Sequence, residues 1–539
     1  MKKILLIAAA ALTVFGLSSC SKDALDTTPT DSVSTTTLLE NTEGAMQALN
    51  GTYRWFNIWG RSVAFNNHQS FGPQGYALMG DLMGDDMVMS AQGNGWFWND
   101  YIYTVKSYYN SDGWRPYDCW NFYYTTISLV NYILAAQHTM EGAQADIDYI
   151  MGNCYALRAY SLHYLAMTFA RSYIGHEDKL SVPIYTGPTV AGTPGKPRAT
   201  NREVYAQAMS DIDSAIVLLE GKTRQHITHV NTAVANGIKA RIALYMGDYK
   251  TALEAAQIAA AGGSMTNSVD HGYNDCTLPD VLWGAEIIQS QGTTNPQFLA
   301  HMDIDFGGYG ADARKCATSW LYEKVADKDI RKIWWNYEDL DEDGKVQGYQ
   351  QWKFQFGNKA ENSDGEMEVT DPYTGADQIF MRVPEMLLTV AECQLRTGDI
   401  PGAQNTLNEF MKHRILDGSY DCTAMGLNAS DLTLNTLTTD LKGTLLEEII
   451  LQRRIELWGE YGRIYDIKRL RQGFVRTEAM GHPITGLLTN LNTDDPESFD
   501  WVLTIPQVEL DANPYMVQNP LGSYPSGGNG DDPSLTPAI

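Results

Sequence analysis

Two short glycine-rich stretches carry the clearest binding chemistry in the chain. "GNGWFWND" (93–100) holds Trp96 and Trp98, and "DIDFGGYGADARKCATSW" (303–320) holds Tyr309, Arg314 and Trp320. Sugar rings present a C–H face that packs on flat aromatics, and hydroxyls that need amides, carboxylates or arginines. Trp96, Trp98, Tyr309 and Trp320 are therefore the candidate stacking platforms for an oligosaccharide, with Asp81, Asn99 and Arg314 as its polar contacts. Tyr309 stands among Gly307, Gly308 and Gly310, which leave the backbone open to close approach. Each ring has a competing use as an anchor that packs its loop on the scaffold, and Trp120, ahead of a helical pattern, is read that way. Trp96, Phe97 and Trp98 cannot all face one core, because neighbouring side chains point different ways. One tryptophan should anchor the loop while the other meets a ligand, and Trp98, beside Asn99, is the first choice for the ligand.

Other constellations carry less. "DLDEDG" (339–344) spaces Asp339, Asp341 and Asp343 like the first half of a calcium loop, but Gln350 stands where the closing acid belongs. A solvated acidic turn is the first reading and calcium the second; no other cofactor is expected. His226 and His229 space two imidazoles for one metal without a third ligand, and "HEDKL" (176–180) lacks the second histidine of a zinc-protease helix. Neither GxSxG nor a Walker loop occurs. Loop carboxylates could include a glycosidase pair, a geometry that spacing in sequence does not demonstrate. Six cysteines besides Cys20 form no CxxC pair. Cys119, Cys154 and Cys393 fall in apolar or helical patterns, as buried thiols do. Cys276, Cys316 and Cys422 lie in loop-like sequence, where an extracytoplasmic protein can form a Cys276–Cys316 bridge.

Elements must hold these residues in place. The chain has 539 residues, 44% hydrophobic and 11% aromatic, a globular composition. Its 39 basic and 65 acidic residues give a formal charge of −26 with no basic run, which argues against nucleic acid as a partner. Lys2, Lys3 and the apolar run Ile4–Leu17, ending in "LSSC" (17–20), read as a lipoprotein signal with Cys20 as lipid acceptor. Residues 1–19 are thus the signal peptide, and 20–42 the lipidated N-terminus and a Thr/Ser/Asp-rich tether. Residues 43–539 form a single domain anchored to a membrane by lipid only, since no later segment is apolar enough to span.

That domain is predominantly α. Helical patterns cover 43–56, 117–138, 150–171, 201–220, 231–246, 249–261, 378–397, 401–414 and 442–471. The intervening 57–116, 262–377 and 472–539 are too long for connectors and too aromatic for disorder, so they should be ordered loops, with the ligand site mainly in the first two. Ala240, Gly247-Asp248 and Ala252 recur as Ala391, Gly398-Asp399 and Ala403, the small-residue logic of a tetratricopeptide helix pair. A helical-repeat scaffold interrupted by large insertions is the inference. Arg453 and Glu460 fall within the apolar stripe of 446–461, and Arg158 within that of 155–169. Buried arginines need partners; Glu456, Asp466 and Glu385 are the candidates, forming a structural ion network in preference to catalytic carboxylates.

Several ordered stretches also resemble the SusD/RagB family of outer-membrane lipoproteins. They are "RAYSLHYLAMTFAR" (158–171), "DIDSAIVLL" (211–219), "LYEKVADKDIRKIWW" (321–335), "MRVPEMLLTVAECQLRTGD" (381–399), "LLEEIILQRRIELWGEYGRIYDIKRL" (445–470) and "IPQVELDANPYMVQNP" (505–520), with "LDTTPTDS" (25–32) after Cys20. The resemblance implies a tetratricopeptide-like scaffold with irregular loops bearing the ligand site. It also implies a non-enzymatic, glycan-binding lipoprotein on the outer face of the outer membrane, acting with a SusC-like TonB-dependent transporter. "SKD" after Cys20 is similar to the signal that directs such lipoproteins outward. The alternatives are a surface glycoside hydrolase using loop carboxylates and a helical-repeat protein that captures peptides or protein partners.

Overall fold

The computed structural model describes residues 35–57, 68–103, 114–190, 192–289, 297–335, 337–340, 344–483 and 494–520. Cys20, Asp341 and Asp343 lie outside the described residues. The helices that build the scaffold are α1 (Thr42–Trp55), α2 (Pro73–Leu82), a short α3 (Trp98–Tyr101), α4 (Trp114–Ala135), α5 (Gln144–Phe169), α6 (Asn201–Leu219), α7 (Thr232–Met246) and α8 (Tyr249–Ala260). After a long insertion come α9 (Val383–Arg396), α10 (Ile400–Lys412), α11 (Leu445–Glu456), α12 (Arg463–Leu470) and α13 (Gln507–Ala512). None of the described helices is long and apolar enough to cross a membrane.

Packing runs helix to helix: α4 on α5, α5 on α6, α6 on α7, α7 on α8, α8 on α9, and α9 on both α10 and α11. The two repeat units thus meet directly at α8 and α9, although the insertion separates them in sequence. Their turns have the same construction. Gly247 (φ 76°) and Gly398 (φ 92°) adopt the left-handed conformation that ends a helix, and Asp248 and Asp399 cap the next one. Ala240, Ala252, Ala391 and Ala403 are fully buried, as close helix approach demands. Capping boxes start α6 (Thr200 with Glu203) and α11 (Thr444 with Glu447).

Three expectations differ from the structure. Residues 378–382 are a strand, paired antiparallel with Val281–Ala285, and the helix begins only at Val383; Pro384 in its first turn cannot extend a helix backwards. The pattern at 442–471 breaks into α11 and α12, because Gly459 (φ 79°) and Gly462 (φ 95°) turn the chain between them. The end of the expected tether is ordered: Leu39 is buried, and Glu40 and Thr42 bond the backbone of Glu141.

The insertion supplies three strands of a four-stranded antiparallel sheet, and the segment between α2 and α3 supplies the fourth. Its strands are β1 (Met87–Met89), β3 (Lys315–Ala317), β4 (Tyr337–Leu340) and β5 (Val346–Gln350), in the order β1–β3–β5–β4; β2 is Val281–Ala285. Met89 pairs with Lys315. The chain leaving β1 and the chain entering β3 therefore emerge at the same end of the sheet. That register brings the 93–100 and 303–314 stretches together.

Buried ion pairs bind the helices to one another and to the sheet. Arg158 pairs with Asp211 (2.6 Å), Arg241 with Glu385 (2.6 Å), Arg453 with Asp466 (2.8 Å) and Arg469 with Glu392 (2.8 Å). Glu456 receives Arg414 (2.9 Å), Arg382 (3.1 Å) and Arg331 (3.2 Å), and Glu460 receives Arg382 and Lys353. Of the three candidate partners, Asp466 takes Arg453, with Glu385 at 3.9 Å, whereas Arg158 reaches none of them and pairs across to α6. Burial raises the pKa of Glu456, but the Arg414 and Arg382 guanidiniums outweigh it and hold the carboxyl well below the usual range. Just before β1, Asp86 pairs with Arg454 (2.6 Å) and Asp85 with Arg463 (2.8 Å), so the base of the sheet is tied to α11 and α12.

Candidate ligand-binding site

The loop after β1 is shaped by residues in the left-handed conformation: Gly93 (φ 51°), Gly95 (φ 82°) and Phe97 (φ 65°). For Phe97 that conformation is strained, and burial holds it there. Its ring is wholly buried, its amide donates to Gln69 Oε1 (2.5 Å), and its edge meets His301 at 5.0 Å and 81°. Arg115, paired with Asp100 at 2.8 Å, lies over the same ring at 4.9 Å. Phe97 is therefore the anchor of the three adjacent aromatics.

Trp96 points elsewhere and stays partly exposed. It stacks on His68 (4.5 Å, 12°) and lies nearly parallel to Tyr309 (5.9 Å, 16°). The Tyr309 hydroxyl and His68 Nδ1 share a 2.5 Å hydrogen bond, and His301 Nε2 donates to the His68 carbonyl (2.6 Å). Burial keeps His301 well below its usual pKa, hence neutral, and raises the Tyr309 hydroxyl. Asn94 clasps the two loops by donating to the Gly308 carbonyl (2.7 Å) and to Asp312 (3.2 Å). A side-chain carbon added to Gly310 would strike the Asp303 carbonyl at 1.9 Å, whereas at Gly307 or Gly308 it would meet nothing within 4 Å. One glycine thus lets the Tyr309 loop pack down, and two leave the backbone itself open; the Tyr309 ring is buried, so it backs the stack and does not present a free face as a platform would.

Trp96 and Tyr309 are therefore brought together from stretches far apart in sequence. His68 completes the stack; the only sequence signal for it was its place in "FNNHQS" (65–70), an aromatic and amide-rich segment. Trp98, the first choice for the ligand, opens α3 and tilts against Tyr101 (5.6 Å, 52°), with Asn99 exposed beside it.

The remaining candidates sit in other surroundings. Asp81, expected as a polar contact, is instead buried in α2, where its Oδ1 accepts the Arg463 amide (2.8 Å) and burial raises its pKa well above the usual range. Arg314 pairs with Asp339 (3.0 Å), whose Oδ1 also accepts from Gln350 (3.0 Å). Asp339 is buried and so does not belong to a solvated turn. Trp320 carries the Arg454 guanidinium over its ring at 4.3 Å and Lys324 at 5.4 Å, and no ring pair among the described residues joins it to Trp96 or Tyr309. Removing it in a Trp320→Ala variant is expected to cost about 1–2 kcal/mol of stability through that cation–π contact, read as a lower urea midpoint. A fall in ligand affinity as large as that caused by losing Trp96 would extend the site to Trp320.

His226 faces Glu286 (3.0 Å), while His229 is buried against Tyr149 (2.9 Å) and Asn50 (2.8 Å), so the two imidazoles have separate partners. No group of three metal-ligating side chains occurs among the described residues. The six described cysteines are free and buried; Cys316 faces Asp339, and Cys276 the Gln378 carbonyl, so the structure has no Cys276–Cys316 bridge.

Two family models match the chain. One, described as "SusD family", covers residues 309–522, and the other, "Starch-binding associating with outer membrane", covers residues 75–244. Among solved structures, a SusD-like carbohydrate binding protein from Bacteroides vulgatus is similar with TM-score 0.70 and 24% identity, over 88% of this chain and 97% of its own. A SusD superfamily protein from Bacteroides thetaiotaomicron has TM-score 0.70 and 23% identity, over 89% of this chain and 100% of its own. Surface glycan-binding protein A from Bacteroides uniformis has TM-score 0.62 and 17% identity, over 88% and 99%. No curated protein matches.

Proposed function

The chain belongs to the SusD/RagB family, and on that premise we propose that it captures an oligosaccharide at the cell surface and passes it to a SusC-like TonB-dependent transporter. The observation that carries this reading is the Trp96–His68–Tyr309 stack, three near-parallel rings beside open glycine backbone. A flat, partly exposed indole whose orientation is already fixed suits the C–H face of a sugar, because little ordering entropy is left to lose on binding. Asn99 and Trp98 border the stack in sequence, and we assign them the rim. The descriptions of the similar proteins as carbohydrate- or glycan-binding support the ligand class. The outer-membrane wording of the second family model supports the location, with the Cys20 lipid as the anchor. Binding proceeds without turnover in this reading: the scaffold acids Glu385, Glu456 and Asp466 are buried and engaged by arginines.

Calorimetry of residues 21–539 against a panel of oligosaccharides tests the proposal. Saturable binding with no released product is expected, and Trp96→Ala should weaken it about 10- to 100-fold, the loss of one apolar platform. New reducing ends would favour the hydrolase instead. Unchanged affinity in both Trp96→Ala and Tyr309→Ala would put the site elsewhere. Transfer to the transporter is tested separately, by co-purification of the two proteins from membranes.

A further inference from the structure

We propose that a second saccharide-binding groove lies on the helical scaffold, along α4, built from residues that the Trp96 site does not use. It rests on the reading of the chain as a saccharide binder but not on that site. The groove has a volume of about 530 Å³, within the range of ligand pockets. One wall is α4; the other is formed by the 185–194 segment and α13.

The residues facing it divide into two kinds. The rings are already held. Trp120 packs on Phe169 (5.0 Å, 88°) and on Tyr124 (4.7 Å, 44°), and Tyr124 donates its hydroxyl to the Pro183 carbonyl (2.7 Å). Tyr185 meets Tyr124 edge-on at 5.9 Å, and its hydroxyl accepts the Lys196 amide (3.1 Å). Tyr117, Asn121 and Thr125, by contrast, make no side-chain hydrogen bond among the described residues, although all three are half-buried in the groove. Their spacing puts them on one face of α4, in line with Ser128, over about 16 Å of helix. A row of uncommitted hydroxyl and amide groups beside fixed tyrosine rings suits a linear, neutral polyol. Glu509 is the one charged residue lining the groove among those described, so anionic ligands are disfavoured.

The test disables the first site and asks what remains. Maltohexaose, cellohexaose, xylohexaose and mannohexaose are titrated by calorimetry into wild-type protein, Trp96→Ala, and Trp96→Ala combined with Tyr117→Ala and Asn121→Ala. The expected result is residual saturable binding in Trp96→Ala that falls at least tenfold when the two groove residues are also removed. If wild type binds a probe and Trp96→Ala binds none, the groove proposal is overturned while the first site stands. Residual binding that survives the groove substitutions overturns it too. So does transporter co-purification lost in Tyr117→Ala/Asn121→Ala with no change in saccharide binding, which would make this face a protein interface. Binding of no probe by wild type overturns both readings.

Discussion

Replacing Glu456 by alanine is expected to cost about 3–5 kcal/mol, seen as a large drop in the urea midpoint or as failure to accumulate soluble protein. Glu456 is fully buried and sits where three segments converge: Arg331 from the turn before β4, Arg382 from the strand leading into α9, and Arg414 after α10. Arg331 and Arg382 keep other carboxylates, Asp329 for one and Asp280 and Glu460 for the other. Arg414 meets only Glu456 among the described carboxylates, through Nε and Nη2, each at 2.9 Å. Alanine would strand that guanidinium in the core, and Glu456→Gln, which keeps acceptors but no charge, should fall between alanine and wild type. The carboxyl is held below its unfolded value, so its contribution is present above about pH 4.3 and is lost as the pH falls through the folded value. Glu456→Gln should therefore lose less stability than wild type on acidification below pH ~4. A Glu456→Ala protein that unfolds at the wild-type midpoint would show that this network contributes nothing.

The scaffold is legible in the sequence because its signals are local. Gly247-Asp248 and Gly398-Asp399 each hold the end of one helix and the cap of the next, so a few adjacent residues report the whole turn. The errors fall where distant residues decide. Residues 378–382 read as helix until their pairing with Val281–Ala285 is known, and the turn at 457–462 is set by two glycines that a stripe of apolar spacing conceals. Ion-pair partners have the same character: Asp466, thirteen residues from Arg453, is within reach of inspection, whereas Asp211 for Arg158 is not.

The candidate site is legible to a similar depth. Glycine beside aromatic residues marks loops that hold rings near open backbone, and that signal singles out the two stretches whose Trp96 and Tyr309 the fold brings together. It does not say which of Trp96 and Trp98 joins the stack, because that depends on the Met89–Lys315 register and on Phe97 filling the core. Nor does it separate exposed acids from buried ones. Asp81 and Asp339 look like loop carboxylates in the sequence, yet one accepts a backbone amide inside α2 and the other neutralises Arg314.

Beneath Phe97 the fold buries an amine at a cost, and removing that amine should stabilise the protein. Lys315 Nζ is fully buried and has no hydrogen-bond partner among the described residues; the Phe97 ring, which Arg115 shares, lies 5.8 Å away. No carboxylate pairs with it among the described residues: Asp100 is taken by Arg115, and the nearby His301 is neutral. Burial pushes the Lys315 amine down to about 7, against about 10.4 in the unfolded chain. Between those values the unfolded chain holds a proton that the folded protein has released, so stability rises with pH across that window, and the full penalty applies below it. Lys315→Met fills similar space without the charge. It is expected to add about 2–4 kcal/mol near and below pH 7, and to remove this part of the rise between pH 7 and 10. Because Phe97 anchors the loop that presents Trp96, the variant should also slow amide hydrogen exchange at residues 93–98. Equal urea midpoints for wild type and Lys315→Met at pH 6 would mean that the amine reaches a partner or solvent, and the buried-charge account of this loop would fall.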